Sequence, residues 1–152
     1  SFHHSINKKS LVSDYSRLVF GKDLKLAEKA AHAWNSFEGS ILKLTYEDQE
    51  ETPTINYPEE LARARVQLHY IKNKCFVEGD SILESIKDLN QVPTVIVQGQ
   101  YDMVCPPQTA DDLYKVIPHA DFRLIPDAGH SASEPGITDA LIDATDLFKR
   151  YS

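Results

Sequence analysis

The chain has 152 residues, 41% of them apolar and 26% charged. At roughly 150 residues per domain that is about one compact unit or two incomplete pieces, and the apolar share excludes a disordered segment. Lys and Arg number 16 against 23 Asp and Glu, a net charge of −7, so no basic field exists to hold a phosphate backbone and nucleic acid is not an expected partner. The apolar runs, such as Val95-Ile96-Val97, fall far short of the roughly 18 residues of a membrane span, and no signal-peptide pattern opens the chain. A soluble, cytoplasmic protein without membrane contact is expected. Cys75 and Cys105 form neither a C-x-x-C pair nor a disulfide framework, which fits a reducing compartment.

Residues 1–12 are polar and aperiodic and receive no role. From Asp23 the spacing of Leu24, Ala27, Ala30, Ala31, Trp34 and Phe37 predicts a helix with one apolar face, and Gly39 offers a stop. Residues 46–53 are charged and end in a proline, so they read as a surface loop. A second helix is predicted after Pro58, with Leu61, Ala64, Leu68, Ile71 and Cys75 on its buried face. Ser81 and Glu84 fit a capping box that opens a short helix with Ile82, Ile86 and Leu89 inward.

After Asn90 the pattern changes. Val92 to Gly99 is a β-branched run bounded by a proline and a glycine, without alternation, which predicts a strand buried on both faces as in a parallel sheet. A helix from about Pro106 to Ile117 follows, then an extended segment Phe122–Ile125 and a loop from Pro126 to His130. The final helix is marked by Ile137, Ala140, Leu141, Ala144, Leu147 and Phe148. A strand-helix-strand-helix order gives only two parallel strands, and such a sheet needs further neighbours. Residues 1–90 offer only a weak strand candidate at Ile41–Thr45. The chain is therefore expected to be a portion of a larger α/β protein, or to complete its sheet with a partner chain.

Asp102 lies just past the carboxyl end of the first strand, where open α/β sheets bind ligands, and His130 holds the same position after the second. Their separation of 28 residues suits one helix and one strand, so adjacent parallel strands would bring both side chains to one edge. An aspartate accepting from imidazole Nδ1 fixes the tautomer and leaves Nε2 to take a proton from a nucleophile. The bland alternative makes Asp102 a helix cap and His130 a surface loop residue; the matched topological positions outweigh it.

The segments Gly99-Gln100-Tyr101-Asp102-Met103-Val104-Cys105-Pro106 and Asp127-Ala128-Gly129-His130-Ser131-Ala132-Ser133-Glu134-Pro135-Gly136 resemble the two closing motifs of proline iminopeptidases, also called prolyl aminopeptidases, in the α/β-hydrolase superfamily. Ala33–Gly39 and Ala64–Tyr70 resemble two motifs of that family's helical cap. The resemblance spans about residues 13–150. It implies an α/β fold in which residues 1–79 are the remainder of a helical cap and residues 80–152 the C-terminal part of the hydrolase core. It further implies that Asp102 and His130 are the acid and base of a Ser-His-Asp triad in the chain order serine, aspartate, histidine.

No G-x-S-x-G occurs in these residues, and Ser131 and Ser133 lack the strained strand-to-helix turn that exposes a nucleophile. The chain alone is expected to be inactive, with the N-terminal half of the same protein as its missing partner. Glu38 falls on one of the cap glutamates that the family uses to hold the free α-amine of the substrate, which implies an exopeptidase acting on peptides with a free N-terminal proline. The second such glutamate is replaced by Gln67, an amide that lacks the charge.

No cofactor is expected, and no metal, because His32 and His69 fall in helical stretches without an H-E-x-x-H or Cys/His cluster. Cys105 is expected to pack beside the acid, where thiol reagents would reach the site. Trp34, Phe37 and Tyr70 are expected in the cap core. Two other readings stay open: a different α/β-hydrolase, such as an esterase or amidase, and a non-catalytic binding module of the same scaffold. The uncovered sheet edge of such a half predicts aggregation or a homo-oligomer.

Overall fold

The computed structural model describes residues 11–44, 54–78, 81–86 and 92–151. The chain divides into two compact units, residues 1–39 with 48–78, and residues 40–47 with 79–152.

The first unit is built from α1 (Leu11–Val19), α2 (Leu24–Ser40) and α3 (Tyr57–Lys72). Helix α1 falls partly in a stretch to which the sequence pattern assigned nothing. It forms because Val12, Tyr15 and Val19 recur at helical spacing and join the apolar cluster. Helix α2 begins where Asp23 Oδ1 accepts the N–H of Leu26 at 3.1 Å. It runs through Gly39 to Ser40 rather than stopping there. Ala27, Ala30 and Ala31 are fully buried, and their small side chains let neighbouring helices approach closely. Trp34 fills the space beside them, with its ring 5.3 Å from that of Tyr15. Helix α3 contributes Leu61, Ala64 and Leu68. Full burial of a leucine such as Leu68 contributes about 1.5–3 kcal/mol.

Several expected core residues lie elsewhere. Leu24, Phe37, Tyr70 and Ile71 are exposed: three- and four-residue spacing puts Leu24, Phe37 and Ile71 on an apolar stripe and Tyr70 is expected in the core as an aromatic residue, but the buried cluster is narrow and centred on alanines. Cys75 is also exposed. Asn73 ends α3, its backbone N–H reaching the carbonyls of His69 and Tyr70 and its Nδ2 donating to His69 O at 2.8 Å. Cys75 then sits in a short 3-10 turn, Lys74–Phe76, with φ of 54°.

In the second unit α4 (Ser81–Ser85) precedes β1 (Val95–Gly99), α5 (Pro107–Val116), β2 (Asp121–Ile125) and α6 (Pro135–Phe148). Ile82 is exposed rather than inward, since α4 is a short helix of five residues; Leu89 and the capping side chain of Ser81 lie outside the described residues. Strands β1 and β2 pair in parallel from Val95 opposite Asp121 to Gly99 opposite Ile125. Helix α6 packs on both strands through a face containing Ile137, Ala140 and Ala144, and Tyr114 of α5 stacks on Phe122 of β2 at 5.3 Å.

The expected burial of β1 on both faces does not occur. Val92 is exposed and Val95, Ile96 and Val97 are half-buried, with only Gln98 and Gly99 fully enclosed. Two strands cannot cover both faces of a sheet, so apolar residues of a parallel-type run stay partly open. The weak strand candidate is not a strand either: Ile41–Leu44 is turn and bend, and Thr45 lies outside the described residues. Its backbone bonds go to the loop after β2, where Leu42 O accepts the N–H groups of both His130 and Ser131 at 2.8 and 2.9 Å. Among the described residues no helix is long and apolar enough to cross a membrane.

Candidate active site

The carboxyl ends of β1 and β2 are bound together beyond the last strand residues. Gln100 N–H donates to Ile125 O, and Tyr101 N–H to Ala128 O, each at 2.9 Å. The two following loops therefore run side by side. Gly99 is required at this seam because a Cβ there would lie 1.9 Å from Gly129 O and 2.7 Å from Ala128 O. At the turn into the second loop Asp127 adopts a left-handed φ of 53°, which aspartate tolerates better than most residues.

Asp102 turns its carboxylate into the protein. Oδ1 accepts the N–H groups of Val104 and Cys105 at 2.8 and 2.7 Å, an arrangement in which aspartate mimics a turn of backbone. Oδ2 accepts from His130 Nδ1 at 2.8 Å and from Gln98 Nε2 at 3.3 Å. The Asp102 side chain is 6% exposed and that of His130 36%. The acid is thus enclosed while the imidazole reaches solvent. Burial pushes the Asp102 carboxyl up, but the N–H of Cys105, the His130 ring, the N–H of Val104 and the positive charge His130 can carry together hold it below the usual carboxylate range. An ionised acceptor on Nδ1 leaves Nε2 as the nitrogen that can accept a proton. The two side chains thus meet within hydrogen-bond distance just beyond the paired strand ends.

Gln98 was not among the residues singled out from the sequence. Its buried amide donates to Asp102 Oδ2 and also to the carbonyls of Gly99 and Cys105, each at 3.1 Å. The signal was present as one polar side chain in the apolar run Val95-Ile96-Val97-Gln98. Cys105, expected to pack, is exposed, because its backbone N–H rather than its side chain is what the turn uses. Partial desolvation of this otherwise exposed thiol and then the negative charge of Asp102 push its pKa up, which disfavours the nucleophilic thiolate. The hydroxyls of Ser131 and Ser133 bond to one another at 2.9 Å.

In the first unit Glu38 and Gln67 are brought together. Gln67 Nε2 donates to Glu38 Oε2 at 2.6 Å, and Gln67 Oε1 accepts from the indole Nε1 of Trp34 at 2.7 Å. An indole nitrogen only donates, so it fixes which end of the amide faces Glu38. One of the two lone pairs of that oxygen is taken by Trp34. His32 is half-buried beside Tyr57, with ring centroids 6.2 Å apart, and His69 is exposed. No group of three or more His, Cys, Asp or Glu side chains that could hold a metal occurs among the described residues.

Comparison with known proteins places this geometry in context. The chain is 40% identical over 139 residues to a probable proline iminopeptidase of Leptolyngbya boryana, covering 91% of this chain and 43% of that protein. It is 37% identical over 143 residues to a proline iminopeptidase of Arabidopsis thaliana, covering 92% of this chain and 37% of the relative. It is 40% identical over 145 residues to a proline iminopeptidase of Xylella fastidiosa, covering 94% and 46%. The chain thus spans less than half the length of these relatives. Residues 3–136 match the family described as the alpha/beta hydrolase fold, with the two parallel strands and their helices in place, and the chain belongs to that family.

Proposed function

We propose that this chain is part of a serine-type aminopeptidase that releases proline from the free N-terminus of peptides. The observation that carries the reading is the bond of 2.8 Å from His130 Nδ1 to the enclosed Asp102 carboxylate at the shared rim of two parallel strands. The names of the relatives support the substrate class. In this reading His130 takes the proton of a serine supplied by a segment outside the sequence given, the serine attacks the carbonyl of the N-terminal proline, and an acyl-enzyme forms as the rest of the peptide leaves. His130 gives that proton to the amine as the C–N bond breaks and afterwards activates the water that hydrolyses the ester, while Asp102 holds the ring and balances the imidazolium.

The helical first unit would act as the cap. Glu38, held by Gln67, supplies a carboxylate for the substrate's ammonium group, a charge-assisted bond that an internal peptide bond cannot offer. The chain alone lacks a nucleophile in this scheme and is inactive. The test is hydrolysis of proline arylamides by the intact protein that contains this chain, with free and blocked amino groups compared. Full activity after His130→Ala or Asp102→Ala would end the proposal. Equal turnover of blocked substrates would transfer the same triad to an esterase or general amidase.

A further inference from the structure

Glu134 stands at the N-cap of α6, yet its side chain makes no cap bond to that helix. It is buried, 6% exposed, and points back along the chain. Oε2 accepts the N–H of Gly129 at 2.9 Å, and Oε1 accepts the N–H of Leu44 at 3.0 Å. One oxygen thus holds the residue immediately before His130, and the other holds the strap formed by residues 41–44. That strap already receives the N–H groups of His130 and Ser131 on Leu42 O. Gly129 is tightly enclosed by the same groups: a Cβ would meet Leu44 N at 3.0 Å, Leu42 O at 3.1 Å and Glu134 Oε2 at 3.2 Å. Capping chemistry does not explain a glutamate here, since Ser, Thr, Asp or Asn would serve the helix better.

We propose that Glu134 is a positioning residue for His130, a carboxylate clamp that fixes the backbone of the base loop against the 41–44 strap. This rests on the proposed role of His130 and adds the residue that sets where its ring stands. The His130 ring is held to Asp102 by one bond of 2.8 Å, so its reach depends on where the backbone at residues 129 and 130 lies. Without the Glu134 side chain, the buried N–H of Gly129 and the part-buried N–H of Leu44 lose their acceptors, and the loop relaxes to recover others. A misplacement of about 1 Å at a catalytic group can lower turnover on the order of 10²-fold.

The experiment compares Glu134→Ala, Glu134→Gln and His130→Ala in the intact protein. It uses proline-arylamide kinetics, thermal melting, and the His130 Nδ1–H resonance followed by ¹⁵N-histidine NMR. Glu134→Gln preserves shape and one acceptor oxygen, so it keeps a folded variant available if Glu134→Ala does not fold. The expected result is a fall in kcat of about 10–100-fold for Glu134→Ala with KM little changed, partial rescue in Glu134→Gln, and a shifted or broadened Nδ1–H signal in both. A lowered melting temperature with kcat per folded molecule and the Nδ1–H signal unchanged would make Glu134 a purely structural residue and overturn the proposal. If His130→Ala stays fully active the proposed function itself fails. The NMR measurement still decides the clamp, because an unmoved Nδ1–H signal in Glu134→Gln refutes it.

Discussion

Replacing Asp102 with Asn would keep the size of the side chain while changing what it can offer His130. The carboxylate accepts four hydrogen bonds, two on Oδ1 from the Val104 and Cys105 backbone and two on Oδ2 from His130 and Gln98. The two bonds of 2.7 and 2.8 Å to backbone N–H groups will claim the one oxygen an asparagine retains. Its NH₂ group then occupies the Oδ2 position, facing His130 Nδ1. Gln98 cannot turn its amide to compensate, because its Nε2 also serves the carbonyls of Gly99 and Cys105, and a reversed amide would set oxygen against oxygen. His130 must therefore present a bare Nδ1 and carry its proton on Nε2, the wrong tautomer for a base. Loss of the correct tautomer in a Ser-His-Asp triad lowers kcat by about 10⁴, which corresponds to roughly 5.4 kcal/mol of transition-state stabilisation. The cost in stability is smaller, about 1.5–3 kcal/mol for a bond to a charged group. Steady-state hydrolysis of a proline arylamide by the intact protein, with circular dichroism to confirm folding, measures the first, and thermal melting the second. A folded Asp102→Asn variant retaining more than about a tenth of the wild-type kcat would refute the tautomer argument.

Gly99→Ala drives a methyl group into the Gly129 and Ala128 carbonyls; it is expected to destabilise the fold by about 1–3 kcal/mol or more by overpacking, and an unchanged urea midpoint would count against the tight seam. The lowered Asp102 carboxyl means that the native state binds this proton less readily than the unfolded chain. Its contribution to stability is complete above the ordinary carboxylate value, about 4, and is lost as pH falls through the lower native value. Asp102→Asn should therefore flatten the acid side of the stability profile, and parallel acid limbs for the two proteins would contradict this. Gln67→Leu strips Trp34 Nε1 of its acceptor and Glu38 of its donor, with an expected cost of about 1–3 kcal/mol for the enclosed indole N–H and a raised KM for substrates with a free amine. An unchanged melting temperature and KM would dismiss a role for the Trp34–Gln67–Glu38 hydrogen bonds.

Helices α2 and α6 and strand β1 were legible because one local signal dominated in each. The alanine spacing of α2, the β-branched run of β1 and the steady period of α6 reflect geometry set by near neighbours in the chain. Asp102 and His130 were legible for the same reason, since their places at two strand ends follow from order alone. Periodicity does not tell which positions on a stripe meet another element, so it assigns Leu24, Phe37, Ile71 and Cys75 to a core that the packing does not extend to. Burial is a property of the partner surface, and spacing along one helix carries no information about where that surface ends.

What the sequence by itself determined was the chemical inventory and its order: an acid and a base at matching strand ends, and a glutamate and a glutamine on two helices. Only the tertiary structure decided how these groups are wired. Gln98 braces Asp102, Glu134 grips the backbone before His130, and Gln67 accepts from Trp34. Each of these depends on hydrogen-bond direction and on which side-chain atom faces which donor, and the second bond of Glu134, to Leu44, and the bond of Gln67 to Trp34 join groups 90 and 33 residues apart. Such relations exist only after the chain has closed its loops.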